Sequence, residues 1–190
     1  MGKDLSMMTL EELWELFPIF LVKPNPNKWN CQYNTILTSL KNHIPEYALK
    51  RVSHIGSTAI NGIWAKDIVD VLVEINSNYA VNEISEILSN NGFIKMSESQ
   101  NRISFNIGYT KEGFAKNVFH IHLRCAGDND ELYFRDYLNQ HNNIAKEYET
   151  LKLVLWKKYE HNRDAYTDAK TSFVNKWTKI ARLEYKNRYI

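Results

Sequence analysis

The pattern of apolar and polar positions divides the chain into helical ends and a strand-rich centre. The most apolar stretch covers residues 68–75, where β-branched and other apolar residues fill every position except Asp70 and Glu74. Such a segment is typical of a central strand that is covered on both faces. Shorter segments with strand-like alternation predict further strands over residues 50–55, 93–94, 102–107 and 118–123.

Apolar residues at helical spacing predict the helices. Thr9 and Glu12 have the spacing of a capping box, which predicts a short helix that ends near Pro18. Further apolar stripes predict helices over residues 29–40 and 81–88. The last third of the chain is helical in period throughout, with stripe residues Phe134, Tyr137, Leu138, Ile144, Tyr148, Leu151, Leu155, Tyr159, Tyr166, Ala169, Phe173, Trp177 and Ile180.

This order of elements predicts a single α+β domain over residues 1–190, with residues 1–20 as an N-terminal helical extension and a helical C-terminal third. The 190 residues, 44% of them apolar, suffice for one packed core. A net charge of +2 does not indicate nucleic acid or an anionic membrane as a partner.

Composition also bears on where the protein acts. Cys31 and Cys125 lie far apart and outside any CxxC spacing, which argues against a disulfide scaffold and a zinc knuckle and suits a reducing compartment. The sequence shows neither the apolar core of a signal peptide nor a run approaching the ~20 apolar residues that a membrane span needs. We therefore expect a cytoplasmic protein with no membrane partner.

Gly56 and Ser57 end one predicted strand, and Asp70 lies within the next. Glycine lets a phosphate approach the backbone, serine offers a hydroxyl and an N–H group, and a carboxylate on the neighbouring strand can hold Mg²⁺. An ionised aspartate among valines and isoleucines costs several kcal/mol unless it is paired or bound to a cation. The alternative is that Asp70 only caps a neighbouring loop at the start of its strand.

Two further clusters carry polar side chains. His120 and His122 lie on one face of a strand, about 6–7 Å apart along it. They could share a metal ion or line a pocket beside Asp70, or they could be ordinary hydrogen-bonded strand histidines. The C-terminal helices carry cations that could bind phosphate or form surface ion pairs, namely Arg135, Lys152, Arg163 and Lys170.

These residues stand in segments that resemble the GrpB family. The resemblance begins with His54-Ile55-Gly56-Ser57-Thr58-Ala59-Ile60 and continues in the expected order along nearly the whole chain, from about residue 20 to residue 180. Its other segments are Ala65-Lys66, Ile68-Val69-Asp70-Val71-Leu72-Val73, Phe119-His120-Ile121-His122-Leu123, Phe134-Arg135-Asp136-Tyr137-Leu138, Ala145-Lys146-Glu147-Tyr148 and Arg163-Asp164-Ala165-Tyr166-Thr167.

The resemblance implies a nucleotidyltransferase-like fold, with a mixed β-sheet flanked by helices. In that superfamily a Gly-Ser loop binds the triphosphate of a nucleotide, and carboxylates in an Asp-x-Asp pattern hold two Mg²⁺ ions. Together with the residue chemistry, it makes Asp70, His120 and His122 the candidate catalytic and metal-binding residues. The candidate substrate-binding residues are His54, Gly56, Ser57, Thr58, Lys66, Arg135 and Lys170.

The sequence departs from this pattern at the second carboxylate. Its expected position is occupied by Leu72. Glu74 lies on the same face as Asp70 but about 13 Å along the strand, too far to share a metal pair. Asp67 has the wrong offset to lie on that face. The usual two-metal site is therefore incomplete, unless His120 and His122 replace a carboxylate.

Three functions remain open at this point. The first is a transferase that uses Mg²⁺ or Mn²⁺, without an organic cofactor, on a nucleotide or another phosphorylated small molecule. The second is a nucleotide- or anion-binding module without catalysis that works through a partner protein. The third is an interaction protein that uses the aromatic residues of its C-terminal helices. The sequence does not decide whether the chain is an enzyme.

Overall fold

A five-stranded mixed sheet forms the centre of the protein. The structure, a computed structural model, describes residues 3–76, 79 and 81–190. In order across the sheet the strands are β1 (Leu49–Ile55), β2 (Val69–Ile75), β5 (Gly113–Cys125), β4 (Arg102–Thr110) and β3 (Ile94–Ser99). β2 and β5 run parallel, and all other neighbouring strands run antiparallel. The predicted α+β class is confirmed, and the sheet agrees with the fold that the resemblance implies.

The helices flank this sheet and make up the C-terminal third, as predicted. They are α1 (Leu10–Leu16), α2 (Pro26–His43), α3 (Val81–Asn90), α4 (Asp130–Gln140), α5 (Asn142–Tyr159) and α6 (Arg163–Tyr185). The apolar stripe starts α2 at Trp29, but the helix begins at Pro26. Proline suits the first turn because its missing N–H has no partner there, and the Asn25 side chain accepts a hydrogen bond from the Lys28 N–H at 3.2 Å.

Alternation along β2 and β5 gives the sheet two different faces. The odd-numbered residues of β2, and those of β5 from Phe119 onward, are apolar and pack against α2 and α3 in the main core. This core includes Val69, Val71, Val73, Ile75, Phe119, Ile121, Leu123, Trp29, Ile36, Leu40, Ile84 and Leu88. The even-numbered residues are mostly polar and face the C-terminal helices. β2 is therefore covered on both faces, as its apolar composition predicts.

The aromatic residues of the C-terminal third are largely internal. Tyr148 and Tyr166 are buried, and Trp156, Tyr159 and Trp177 are partly buried. They pack with neighbouring apolar side chains in clusters that join α4, α5 and α6. These residues therefore stabilise the helical layer and form no exposed aromatic surface. Across the described ranges, no helix combines the length and apolar character that a membrane crossing requires.

Glu74 is fully buried on the polar face of the sheet. Its carboxylate accepts hydrogen bonds from Arg51 Nε at 2.6 Å, Asn129 Nδ2 at 2.9 Å and the Gly127 N–H at 3.2 Å. Arg51 and Asn129 also donate to the Tyr189 carbonyl, at 3.3 and 3.0 Å. This ion pair joins β1, β2 and the C-terminal residues, and it explains why Glu74 takes no part in the candidate site.

We predict that Arg51→Met lowers the free energy of unfolding by about 3 kcal/mol, because it leaves the Glu74 carboxylate buried without its counter-charge. Urea denaturation followed by circular dichroism measures this loss. The double variant Arg51→Met/Glu74→Leu removes both charges and should recover most of the stability. A double variant as unstable as the single one would contradict the ion-pair explanation.

Candidate functional site

Asp70 lies near the start of β2, on the polar face of the sheet. The parallel register pairs it with His120 of β5 and pairs Leu72 with His122. Asp70 Oδ1 is 3.2 Å from His120 Nδ1 and 3.4 Å from His122 Nε2. The structure therefore brings together the three residues that the sequence analysis selected, and these hydrogen bonds of Asp70 run to the neighbouring strand.

A chain of hydrogen bonds sets the proton position on His120. Arg163 Nη2 donates to the Tyr109 hydroxyl at 2.8 Å, and that hydroxyl lies 2.8 Å from His120 Nε2. The ionised Asp70 carboxylate only accepts, so the neutral His120 carries its proton on Nδ1 and donates this N–H group to Asp70. Its Nε2 then accepts a hydrogen bond from the Tyr109 hydroxyl, whose oxygen accepts from Arg163. Burial lowers the pKa of His120, so this imidazole is neutral at pH 7.

A hydrogen bond from Arg124 fixes the proton position on His122 in a similar way. Arg124 Nη2 lies 3.5 Å from His122 Nδ1, so this nitrogen accepts and the proton stays on Nε2, which faces Asp70. Both imidazoles thus direct an N–H group at one carboxylate oxygen. Burial alone would raise the pKa of Asp70, but the hydrogen bonds from His120 and His122 outweigh it and hold the pKa well below its usual range.

Gly56 makes room for the Asp70 carboxylate. It has a φ of +70° and a ψ of −170°, a region that is essentially limited to glycine. A Cβ atom at this position would lie 2.9 Å from both Cβ and Cγ of Asp70, and closer still to Oδ2. The glycine therefore allows the loop after β1 to close over Asp70. The space at its backbone that we expected a phosphate to approach is occupied by this carboxylate.

A cavity of about 490 Å³, which we call the cationic cavity, lies between the polar face of the sheet and helices α5 and α6. Asp70, His120 and His122 line it on the sheet side, together with the loop residues Gly56 and Ser57. The helices and the loop before β2 add basic and aromatic side chains, namely Lys66, Tyr148, Lys152, Arg163, Tyr166 and Lys170. Four of the predicted substrate-binding residues, Gly56, Ser57, Lys66 and Lys170, thus meet the predicted catalytic residues.

Three lysines bring positive charge to this cavity. Burial, with a smaller contribution from neighbouring cations, lowers the pKa of Lys66 and of Lys152 to about 7 and that of Lys170 to about 8. Lys152 donates to the Trp64 carbonyl. In the part of the chain that the structure describes, Lys66 and Lys170 make no hydrogen bond or ion pair. Their ammonium groups lie 5.6 and 4.2 Å from the ring centre of Tyr166.

Comparison with known proteins identifies the family. The family model described as GrpB protein matches residues 18–180. The chain belongs to the GrpB family. It is 34% identical over 170 residues to the glutamate-rich protein GrpB of Alkalihalophilus pseudofirmus, covering 83% of this chain and 92% of that protein.

A second relative and a solved structure agree with this assignment. UPF0157 protein YqkA of Bacillus subtilis is 36% identical over 133 residues, which are 68% of this chain. The match spans only 37% of the length of YqkA. The crystal structure of GrpB from Enterococcus faecalis matches with a TM-score of 0.75 and 27% identity, covering 87% of this chain and 99% of that one. The predicted family is confirmed.

Three predicted substrate-binding residues of this GrpB chain do not line the cationic cavity. His54, Thr58 and Arg135 lie instead at a separate cleft of about 210 Å³. His54 Nε2 is 2.9 Å from Thr58 Oγ1, Thr58 donates to the Ile68 carbonyl at 3.3 Å, and Arg135 donates to the His54 carbonyl at 2.8 Å. Arg135 is also paired with Asp136. These contacts hold the loop between β1 and β2 in place, and the side chains that make them therefore point away from the cationic cavity.

Tyr148 and Tyr109 were not among the selected candidates, and Lys152 was one of the C-terminal cations for which phosphate binding and a surface ion pair both stayed open. Lys152 follows Tyr148 by four residues, so the two share one face of α5. A lysine in the apolar stripe of a helix signals a buried ammonium, and Lys152 is only 1% exposed. Tyr148 lies beside Ser57, and burial raises its pKa to about 12, which keeps the phenol protonated. Tyr109 gave no comparable signal, because its hydrogen bond to His120 depends on the pairing of β4 with β5.

The donor atoms around Asp70 do not fit the two-metal site of the resemblance. Leu72 packs in an apolar cluster where the second carboxylate is expected. Both His120 and His122 direct N–H groups at Asp70, so neither offers a lone pair there. Among the residues that the structure describes, no three His, Cys, Asp or Glu side chains form a metal-binding cluster. The nearby ammonium of Lys66 further disfavours a bare cation.

We predict that Gly56→Ala destabilises the protein by more than the ~1–3 kcal/mol of backbone strain, because the new Cβ also displaces Asp70. Urea denaturation and the imidazole NMR signals of His120 and His122 report the two effects. Gly92→Ala is the control, since Gly92 has a φ of +85° but no atom within 4 Å of an added Cβ. Equal losses in both variants, with unchanged imidazole signals, would contradict the role given to Gly56.

Proposed function

We propose that this GrpB protein binds a phosphorylated, nucleotide-type small molecule in the cationic cavity. The observation that carries the proposal is the convergence of Lys66, Lys152, Lys170 and Arg163 on one enclosed space. Among the described residues Lys66 and Lys170 make no hydrogen bond or ion pair, and Asp70 acts on them only at longer range. Holding these ammonium groups in a largely buried site costs free energy, and a bound phosphate offsets that cost through charge-assisted hydrogen bonds. A volume of about 490 Å³ suits a small molecule.

The lysines also replace part of what a metal ion would do. Phosphate oxygens need positive charge around them, and Lys66, Lys152 and Lys170 provide it without a resident divalent ion. We therefore expect binding that does not require Mg²⁺ or Mn²⁺, as in the module without catalysis. A divalent ion that accompanies the ligand remains a prediction from the resemblance.

Transfer of a nucleotidyl or phosphoryl group is the second candidate function. One observation favours it: the ionised Asp70 carboxylate and the Ser57 loop line the same cavity as the lysines. Phosphoryl transfer depends mainly on positioning and on charge stabilisation of the phosphate oxygens, both of which such a cavity can supply. The same binding experiment separates the two candidates.

Titration calorimetry with pyrophosphate, ATP, CTP, GTP and UTP, in EDTA and in Mg²⁺, tests the proposal. We expect saturable binding in EDTA. Lys66→Met and Lys170→Met should each weaken it about 10-fold or more, the effect of one charge-assisted hydrogen bond. Lys179→Met removes an exposed lysine of α6 and is the matched control.

The outcomes distinguish the candidates. No binding of any of these compounds would overturn the proposal. Binding that appears only with Mg²⁺ and is lost in Asp70→Asn would instead support metal-dependent transfer. Product formation, followed by ³¹P NMR with the nucleotide that binds best, then identifies the reaction.

We predict that affinity for ATP falls as the pH rises from 7 to 9. The phosphate charge changes little in this range, because the last phosphate pKa lies near 6. Lys66, Lys152 and Lys170 have pKa values of about 7 to 8 and lose their protons over the same range. Binding at pH 8 should therefore take up protons, which calorimetry in buffers of different ionisation enthalpy detects. An affinity that is constant across this range would contradict the proposed role of the lysines.

A further inference from the structure

A second groove, of about 510 Å³, adjoins the cationic cavity but has a different lining. We call it the apolar groove. One side comes from the N-terminal segment and the other from the edge strand β3. Its apolar lining residues are Leu5, Leu10, Leu13, Trp14, Phe17, Ile94 and Met96.

The apolar groove and the cationic cavity meet at the candidate site. His120, Arg163 and Thr167 line both spaces. Tyr109, which bonds both His120 and Arg163, lines the groove. A molecule that places its phosphate among the lysines can therefore extend past His120 into apolar surroundings.

The groove wall is held in place by several contacts. The Phe17 ring packs against Tyr109 and Phe114, with ring centres 4.7 and 5.0 Å apart. The Ile19 N–H donates to the Glu160 carbonyl at 2.8 Å. These contacts fix one wall of the groove in place, which lowers the free-energy cost of binding.

Three of the apolar lining side chains remain exposed to water. Leu10 is 57% exposed, Ile94 46% and Met96 55%. Residues 5–17, which supply one wall, precede the region of the chain that matches the GrpB family, residues 18–180. One wall of the apolar groove therefore lies outside the matched region, and the other wall lies within it beside the candidate site.

We propose that the apolar groove binds the apolar portion of the ligand whose phosphate lies in the cationic cavity. The ligand class is then a phosphate ester that carries an apolar group. This inference rests on the proposed function and extends it to the substrate class. Leu10, Ile94 and Met96 become specificity-determining residues, because burying their exposed apolar surface against the ligand favours a phosphate ester that carries an apolar group.

Titration calorimetry with a series of alkyl phosphates, from ethyl to octyl phosphate below its micelle concentration, tests this inference. We expect the affinity to rise about fourfold for each methylene group buried. Leu10→Ser and Met96→Ser should remove most of this chain-length gain and leave the affinity for ethyl phosphate unchanged. Val154→Ser is the matched control, since Val154 is an apolar residue of α5 that is 60% exposed and lies outside the groove.

Each result has a distinct meaning. If pyrophosphate binds but affinity does not depend on chain length, the apolar groove is not a ligand site and the proposed function stands. If neither pyrophosphate nor any ester binds, both proposals fail. If Met96→Ser changes only the oligomeric state, measured by light scattering, the groove is a protein-docking surface and the inference is overturned.

Discussion

The parallel pairing of β2 with β5 is the constraint on which the rest of the structure depends. Its register places Asp70 beside His120 and sends the apolar side chains of both strands to the opposite face. A shift by one residue would move the polar side chains into the main core and the valines into the cavity. The large apolar core under α2 and α3 therefore also fixes the geometry of the candidate site, because a single register sets both.

Charges buried on the polar face are satisfied in different ways, and the difference separates structure from function. Glu74 has Arg51 as a counter-charge, and Asp70 has two imidazole N–H groups. Within the described part of the chain, Lys66 and Lys170 make no hydrogen bond or ion pair; they lie over the face of Tyr166, and the Asp70 carboxylate acts on them only at longer range. Buried charges that a fold leaves without partners are a cost to stability, and such a cost is typical of a site that a ligand completes.

Local sequence patterns predicted the structural elements better than they predicted the directions of side chains. The apolar segment of β2 and the two-residue spacing of His120 and His122 were sufficient to place these residues on a sheet. Arg135 was selected for its charge, but it bonds Asp136 and the His54 carbonyl. The family motif indicates that Arg135 lies near the functional loop. The direction of its side chain depends on how α4, which carries it, packs in the folded protein.

The sequence by itself determined the α+β class, the central strand and the helical C-terminal third, because these follow from residue spacing within short segments, and it indicated the family through the resemblance of its motif segments. Only the tertiary structure decided which cations meet Asp70. Lys66, Lys152 and Lys170 come from a loop and two helices, and they converge because α4 packs against β1 while α5 and α6 pack against α4 and each other, which leaves the cavity between these helices and the sheet. The apolar groove likewise depends on contacts between the N-terminal segment and β3. Such juxtapositions arise from long-range packing, which residue spacing within a segment does not encode.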